Sequence, residues 1–128
     1  WQKFLKEEIN HFKPNIIVCH SLANVLWFHT CKNLDIKLDK LLLVAPVSKN
    51  RVVEAASSFY PYTVSKDLKA KSVRIIASTN DPYMNIEEAK ELQKELDVEM
   101  TIMNEAGHIN ASAGFGKLDL AIKWIQER

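Results

Sequence analysis

Ile16-Ile17-Val18-Cys19-His20-Ser21-Leu22-Ala23 is the stretch whose reading decides the fold. Ile16–Val18 is a short apolar run of the kind a buried parallel strand carries. Leu22–Cys31 continues at helical spacing, with Leu22, Val25, Leu26 and His29 on one side. Ser21 stands between the two. A sharp strand-to-helix turn at that point lifts a serine hydroxyl out of the sheet. The helix start then aims backbone N–H groups at any oxyanion formed beside it. The pattern G-x-S-x-G is incomplete here, because Cys19 and Ala23 occupy its glycine positions. Serine is also a favoured helix N-cap, so the pentapeptide alone does not separate a cap from a nucleophile.

Working outward, Trp1, Phe4, Leu5, Ile9 and Phe12 recur at spacings of three and four and predict a helix over 1–12, stopped by Pro14. Leu41–Ala45 reads as a second buried strand ended by Pro46, and Val73–Ala77 as a third. Ile86–Leu96 reads as a helix with Ala89, Leu92 and Leu96 inward, and its alternating Glu and Lys form a solvated face. Val98–Met103 alternates and reads as a fourth strand, and Leu118–Gln126 as a last helix with Leu118, Ile122 and Ile125 inward. Helices alternating with short apolar strands predict an α/β fold with a mostly parallel sheet. Residues 46–70 are the exception: Val52–Ala56 reads as a short helix, and Phe59, Tyr60, Pro61 and Tyr62 as an ordered loop or lid. Trp27, Phe28 and Trp124 read as core.

The bulk numbers fit one domain spanning 1–128, since 128 residues with 47% hydrophobic content build a single packed core. Seventeen basic residues, scattered along the chain, against sixteen acidic ones give a net charge of +1, which points away from nucleic acid and from anionic membrane. No segment approaches the roughly 20 apolar residues of a membrane span, and the first residues lack a signal-peptide pattern. A chain that begins at Trp1 rather than Met is expected to be preceded by further residues in its parent. Cys19 and Cys31, separated by about ten helical residues at ~1.5 Å each, lie too far apart for a disulfide. Two buried, reduced thiols and a cytoplasmic setting are expected. His and Cys spacings match neither H-E-x-x-H nor paired C-x-x-C, so no metal site is expected.

Two further polar clusters follow predicted strands. Asn80-Asp81-Pro82 comes after Val73–Ala77, and Gly107-His108 after Val98–Met103. Loops at the carboxyl ends of parallel strands converge on one edge of the sheet, so Ser21, Asp81 and His108 can meet in space. The chemistry asks for these residue types. A serine hydroxyl is a poor nucleophile until an imidazole takes its proton. A buried carboxylate fixes the tautomer of that imidazole and stabilises its charged form. Asn80-Asp81-Pro82 is also an ordinary turn signature, which is compatible with that role. Cys19 belongs to the strand, where a thiol is buried and inert.

VCHSLA (Val18–Ala23), LLLVAP (Leu41–Pro46), IIASTNDPYM (Ile75–Met84) and EAGHINASAGFG (Glu105–Gly116) together resemble the small serine hydrolases of the RBBP9/YdeN type. The resemblance runs over nearly the whole chain, least clearly in 50–70. It implies an α/β-hydrolase-like three-layer α/β/α sandwich with a mostly parallel sheet. It implies Ser21 as nucleophile, Asp81 as the acid of a triad, His108 as base and the Leu22 N–H as an oxyanion donor. Hydrolysis of an ester, thioester or amide of a small-molecule acyl substrate follows, with no cofactor. His20, Phe59, Tyr60, Tyr83, Asn110 and Phe115 are the candidate pocket residues. Family members usually carry glycine where this chain has Ala23. The family's first strand and its glycine-rich loop, which supplies the second oxyanion N–H, fall before Trp1. The chain therefore reads as an N-terminally truncated portion of a longer hydrolase, poorly active until another chain or a swapped element completes it. The alternative is a catalytically impaired interaction module, with self-association through an exposed sheet edge.

Overall fold

The computed structural model describes residues 1–127. Its elements run α1 (Gln2–Phe12), β1 (Ile16–His20), α2 (Leu22–Thr30), β2 (Leu38–Val44), β3 (Ala70–Ser78), α3 (Ile86–Leu96), β4 (Glu99–Met103) and α4 (Asp119–Gln126). Short 3-10 turns cover Cys31–Asn33, Glu54–Phe59 and Ala111–Ala113. The strands form one sheet in the order β1-β2-β3-β4, every neighbouring pair parallel. On one face Cys19, Leu41, Leu43, Ile75 and Ala77 pack against α1, α2 and α3. On the other, Leu42, Val44 and Ile76 pack against Ala121 and Trp124 of α4. These are the three layers expected.

Local chemistry sets the element ends. α3 opens with a capping box: Asn85 Oδ1 accepts the Glu88 N–H at 2.8 Å, and Glu88 Oε1 accepts the Asn85 N–H at 3.0 Å. α1 closes on Lys13 in the left-handed region, with Pro14 preventing its continuation. β2 and β3 begin earlier than their apolar runs. Their first residues, Asp39 and Lys71 among them, lie at the exposed end of the sheet and pair at 3.2 Å. Polar strand starts leave no apolar signal.

Three inward faces differ from the spacing-based expectation. In α2 the fully buried side chains are Asn24, Val25, Trp27, Phe28 and Thr30, while Leu22, Leu26 and His29 are half-buried. The large rings of Trp27 and Phe28 take the core and rotate the helix toward them. In α4 Ala121 and Trp124 face the sheet and Ile122 is exposed. Trp124 is held by Lys40 Nζ and the Arg74 guanidinium, 5.0 and 5.6 Å from its ring. In α1 only Ile9 is buried, and Trp1, Phe4 and Phe12 are exposed, because the helix packs chiefly on α2 rather than on the sheet. The short helix expected at Val52–Ala56 is present as a 3-10 turn displaced by two residues, to Glu54–Phe59. The 3-10 segment starts at Glu54, and Tyr60 and Tyr62 tie the following loop to Ser48 O and Val47 O at 3.1 and 2.6 Å. Cys19 and Cys31 are buried and unpaired. Among the described residues, no helix is long and apolar enough to cross a membrane.

Candidate active site

Ser21 is the single residue between β1 and α2, and its backbone is held at φ 60°, ψ −123°. A non-glycine residue in that region costs about 1–3 kcal/mol and persists only where its surroundings over-determine it. Here they do. The Ser21 N–H donates to Val44 O at 3.1 Å, extending the β1–β2 ladder by one residue. Asn24, fully buried, donates its Nδ2 to Ser21 O at 2.8 Å and to Val44 O at 3.0 Å, binding the first turn of α2 to the end of β2. Ser21 occupies the N-cap position, yet its hydroxyl makes no capping bond. It lies instead 2.7 Å from His108 Nε2.

Asp81 follows β3 and His108 follows β4, so the parallel sheet delivers both loops to the edge that carries Ser21. His108 Nδ1 is 2.9 and 3.1 Å from the two Asp81 carboxylate oxygens. A carboxylate only accepts, so Nδ1 carries the hydrogen and the neutral ring leaves Nε2 free to accept from the Ser21 hydroxyl. The Asp81 side chain is 2% exposed and that of His108 10%, which keeps water from competing for the Asp81–His108 bond. Asp81 Oδ1 also accepts the Tyr83 N–H at 2.9 Å. The Tyr83 and His20 rings both approach the His108 ring, at centroid distances of 4.6 and 5.1 Å. This arrangement lets a proton leave a serine hydroxyl for an imidazole that is already oriented to receive it. The neighbouring thiol cannot compete: burial, with a smaller contribution from Cys31, pushes Cys19 up to about 12.

An open cleft of about 290 Å³ borders Ser21 and His108. Of the candidate pocket residues, Tyr60, Tyr83 and Asn110 line it, together with Leu22, Val47, Val53, Ala55 and Ala56. Three candidates lie elsewhere. His20 donates its Nε2–H to the His108 carbonyl at 2.9 Å and does not line the cleft. Phe59 ends the 3-10 segment and borders a separate hollow beside Trp1 and Leu26. Phe115 turns back after Ala111–Ala113 to pack against the α4 face of the sheet. Sequence reasoning did not single out Val47, Val53, Ala55 and Ala56, because small apolar residues in a loop carry no periodic signal. It also passed over Asn24, which is polar and fully buried at a helix start.

Four parallel strands between helical layers, with a serine at a strained strand-to-helix turn, define an α/β-hydrolase fold. Residues 1–127 match the family described as serine hydrolase, and the chain belongs to that family. A YdeN-like hydrolase from Pectobacterium atrosepticum is 26% identical, with a TM-score of 0.71 over 98% of this chain and 67% of its own. The ydeN product of B. subtilis is 20% identical, with a TM-score of 0.76 over 98% of this chain and 71% of its own. An α/β hydrolase from a Mar Chica lagoon sediment metagenome is 18% identical, with a TM-score of 0.74 over 99% and 68%. This chain spans about two thirds of the length of each. No curated protein sequence matches it at a significant level.

Proposed function

We propose that this serine hydrolase works through Ser21 as nucleophile, His108 as general base and acid, and Asp81 as the group that orients and stabilises His108. The observation that carries the reading is the relay Ser21 Oγ–His108 Nε2 at 2.7 Å and His108 Nδ1–Asp81 at 2.9 Å. Ser21 Oγ attacks an acyl carbonyl while His108 takes its proton. The α2 N-terminus, with the Leu22 N–H first, receives the oxyanion, because the opening N–H groups of a helix have no intrahelical acceptor. His108 then gives the proton to the leaving group, and an acyl-enzyme on Ser21 remains. Water, deprotonated by His108, releases the acid and restores the serine. The apolar wall of Leu22, Val47, Val53, Ala55 and Ala56 suits a neutral acyl group of an ester, thioester or amide.

A fluorophosphonate, which phosphonylates an activated serine, tests this directly. Labelling of the folded chain that vanishes in Ser21→Ala supports the reading. A second reading, an interaction module built on the same fold, draws on the outer edge of β1, where Ile16 and Val18 are exposed. Absence of labelling in the folded wild-type chain favours that alternative.

A further inference from the structure

We infer that Ser78 and Asn80 are positioning residues for His108, clasping the backbone of the loop that carries it. The inference rests on the catalytic reading of Ser21, Asp81 and His108 above. The loop has an unusual backbone: Glu105, Gly107 and Ile109 all lie in the left-handed region, at φ 49°, 58° and 53°. Glycine adopts that region freely, whereas for a β-branched isoleucine it is an outlier. A chain with alternate residues in this region needs external contacts to stay in place.

Those contacts come from consecutive side chains at the end of β3. Thr79 Oγ1 accepts the Glu105 N–H at 2.8 Å, Ser78 Oγ accepts the Ala106 N–H at 2.8 Å, and Asn80 Oδ1 accepts the Gly107 N–H at 2.7 Å. The register of the sheet makes this possible, because Ser78 lies beside Met103 and the two strands launch their loops together. Ser78 is 1% exposed, and its hydroxyl is committed in both directions: it accepts from Ala106 and donates to Asn80 Oδ1 at 3.0 Å. From β1, His20 donates to the carbonyl of His108 itself. Each residue from Glu105 to His108 thus has a backbone polar group gripped by a side chain.

The residue after Asn80 is Asp81. One short turn therefore both supplies the carboxylate and grips the loop bearing the imidazole, so the Asp81–His108 separation is fixed from both ends. Asn80 and Ser78 touch neither the cleft nor the relay. Their effect on the reaction passes through the placement of His108.

The test measures the fluorophosphonate labelling rate of the full chain in Ser78→Ala, Ser78→Thr and Asn80→Leu, alongside the downfield NMR signal of the His108 Nδ1 proton. Loss of the clasp lowers the labelling rate by about 10²-fold, the scale of a misplacement near 1 Å in a catalytic group. Ser78→Thr keeps the hydroxyl and retains the rate. Asn80 is exposed, so Asn80→Leu keeps the test open where Ser78→Ala fails to fold. In the folded variants the His108 signal shifts or broadens while the melting temperature of Asn80→Leu stays close to wild type. Wild-type labelling rates and an unchanged His108 signal in Ser78→Ala and Asn80→Leu overturn the inference. Ser21→Ala separates the two readings. Labelling that survives it removes the catalytic assignment, while the His108 signal, which needs no nucleophile, still decides the clasp.

Discussion

Replacing Asp81 by asparagine keeps nearly the same shape and removes one property, the ability of both oxygens to accept. In the wild-type site His108 Nδ1–H is shared between the two carboxylate oxygens at 2.9 and 3.1 Å, and Oδ1 also takes the Tyr83 N–H at 2.9 Å. In Asp81→Asn the side-chain amide must keep its oxygen toward the Tyr83 N–H, so its N–H₂ group faces His108 Nδ1. Two donors cannot face each other. The imidazole therefore moves its hydrogen to Nε2, where it points at Ser21 Oγ instead of accepting from it. The nucleophile loses its base although every heavy atom stays in place. A carboxylate-to-amide change of this kind costs about 10⁴ in kcat, or about 5.4 kcal/mol at 1.36 kcal/mol per tenfold. The assay is hydrolysis of a p-nitrophenyl ester, or the fluorophosphonate labelling rate, for wild type and Asp81→Asn on samples with matching melting curves. An Asp81→Asn chain that keeps its rate to within about tenfold, a barrier change near 1.36 kcal/mol, refutes the reasoning, because the tautomer would then not matter.

Four other outcomes follow from the same structure. Among the described residues, the cleft lining beside Ser21 includes no Lys or Arg, so neutral acyl esters are turned over faster than those with a terminal carboxylate, which a paired acetyl and succinyl ester assay reads. Burial raises both thiols, Cys19 to about 12, so iodoacetamide at pH 8 leaves Cys19 and Cys31 unmodified until denaturant is added, as mass spectrometry records. Burial pushes the Glu88 carboxyl up, but the Ser48 hydroxyl, the Asn85 N–H and Arg51 outweigh it and hold the group below its usual 4.5. That depression contributes stability above pH 4.5 and loses it as pH falls through the lower folded value, so Glu88→Gln flattens the acid side of a melting-temperature profile. In β1 the backbone groups of Ile17 and Cys19 face β2, as the Ser21–Val44 bond requires, and those of Ile16, Val18 and His20 face outward. We expect concentration-dependent self-association through that edge in sedimentation velocity, and its loss in Val18→Lys, which puts a charge on the edge.

The parts of the fold that were readable from sequence are those where burial repeats at a fixed period. Leu41–Val44 and Ile75–Ala77 are buried on both faces and therefore read as unbroken apolar runs. α3 was readable to the residue from its inward stripe Ala89, Leu92 and Leu96, and the Asn85–Glu88 capping box fixes the same start in the structure. Where a single large side chain decides the packing, period alone misleads. Trp124 turns α4 so that Ile122 meets solvent, and Trp27 with Phe28 turns α2 away from the face through Leu22 and His29. The reading of Trp27, Phe28 and Trp124 as core holds, and it overrides the faces that period alone assigns to the same two helices.

The candidate site divides along a different line. Ser21, Asp81 and His108 were legible because side-chain chemistry restricts which residues can do the work, and because parallel strands send their loops to one edge. The residues that hold them in place were not. Ser78, Asn80, Asn24 and His20 act on backbone groups, and almost any backbone N–H or C=O looks the same in sequence. Nothing in S-T-N-D-P states that its serine and asparagine reach across to the amides of Ala106 and Gly107. Only the β3–β4 register, with Ser78 beside Met103, brings those amides within reach. The two kinds of residue therefore fail in different ways. In the proposed mechanism, losing His108 removes a reagent, whereas losing Ser78 leaves every reagent present and displaces one of them. That is why the positioning variants are best read by a rate together with a signal from His108, and the relay variants by rate alone.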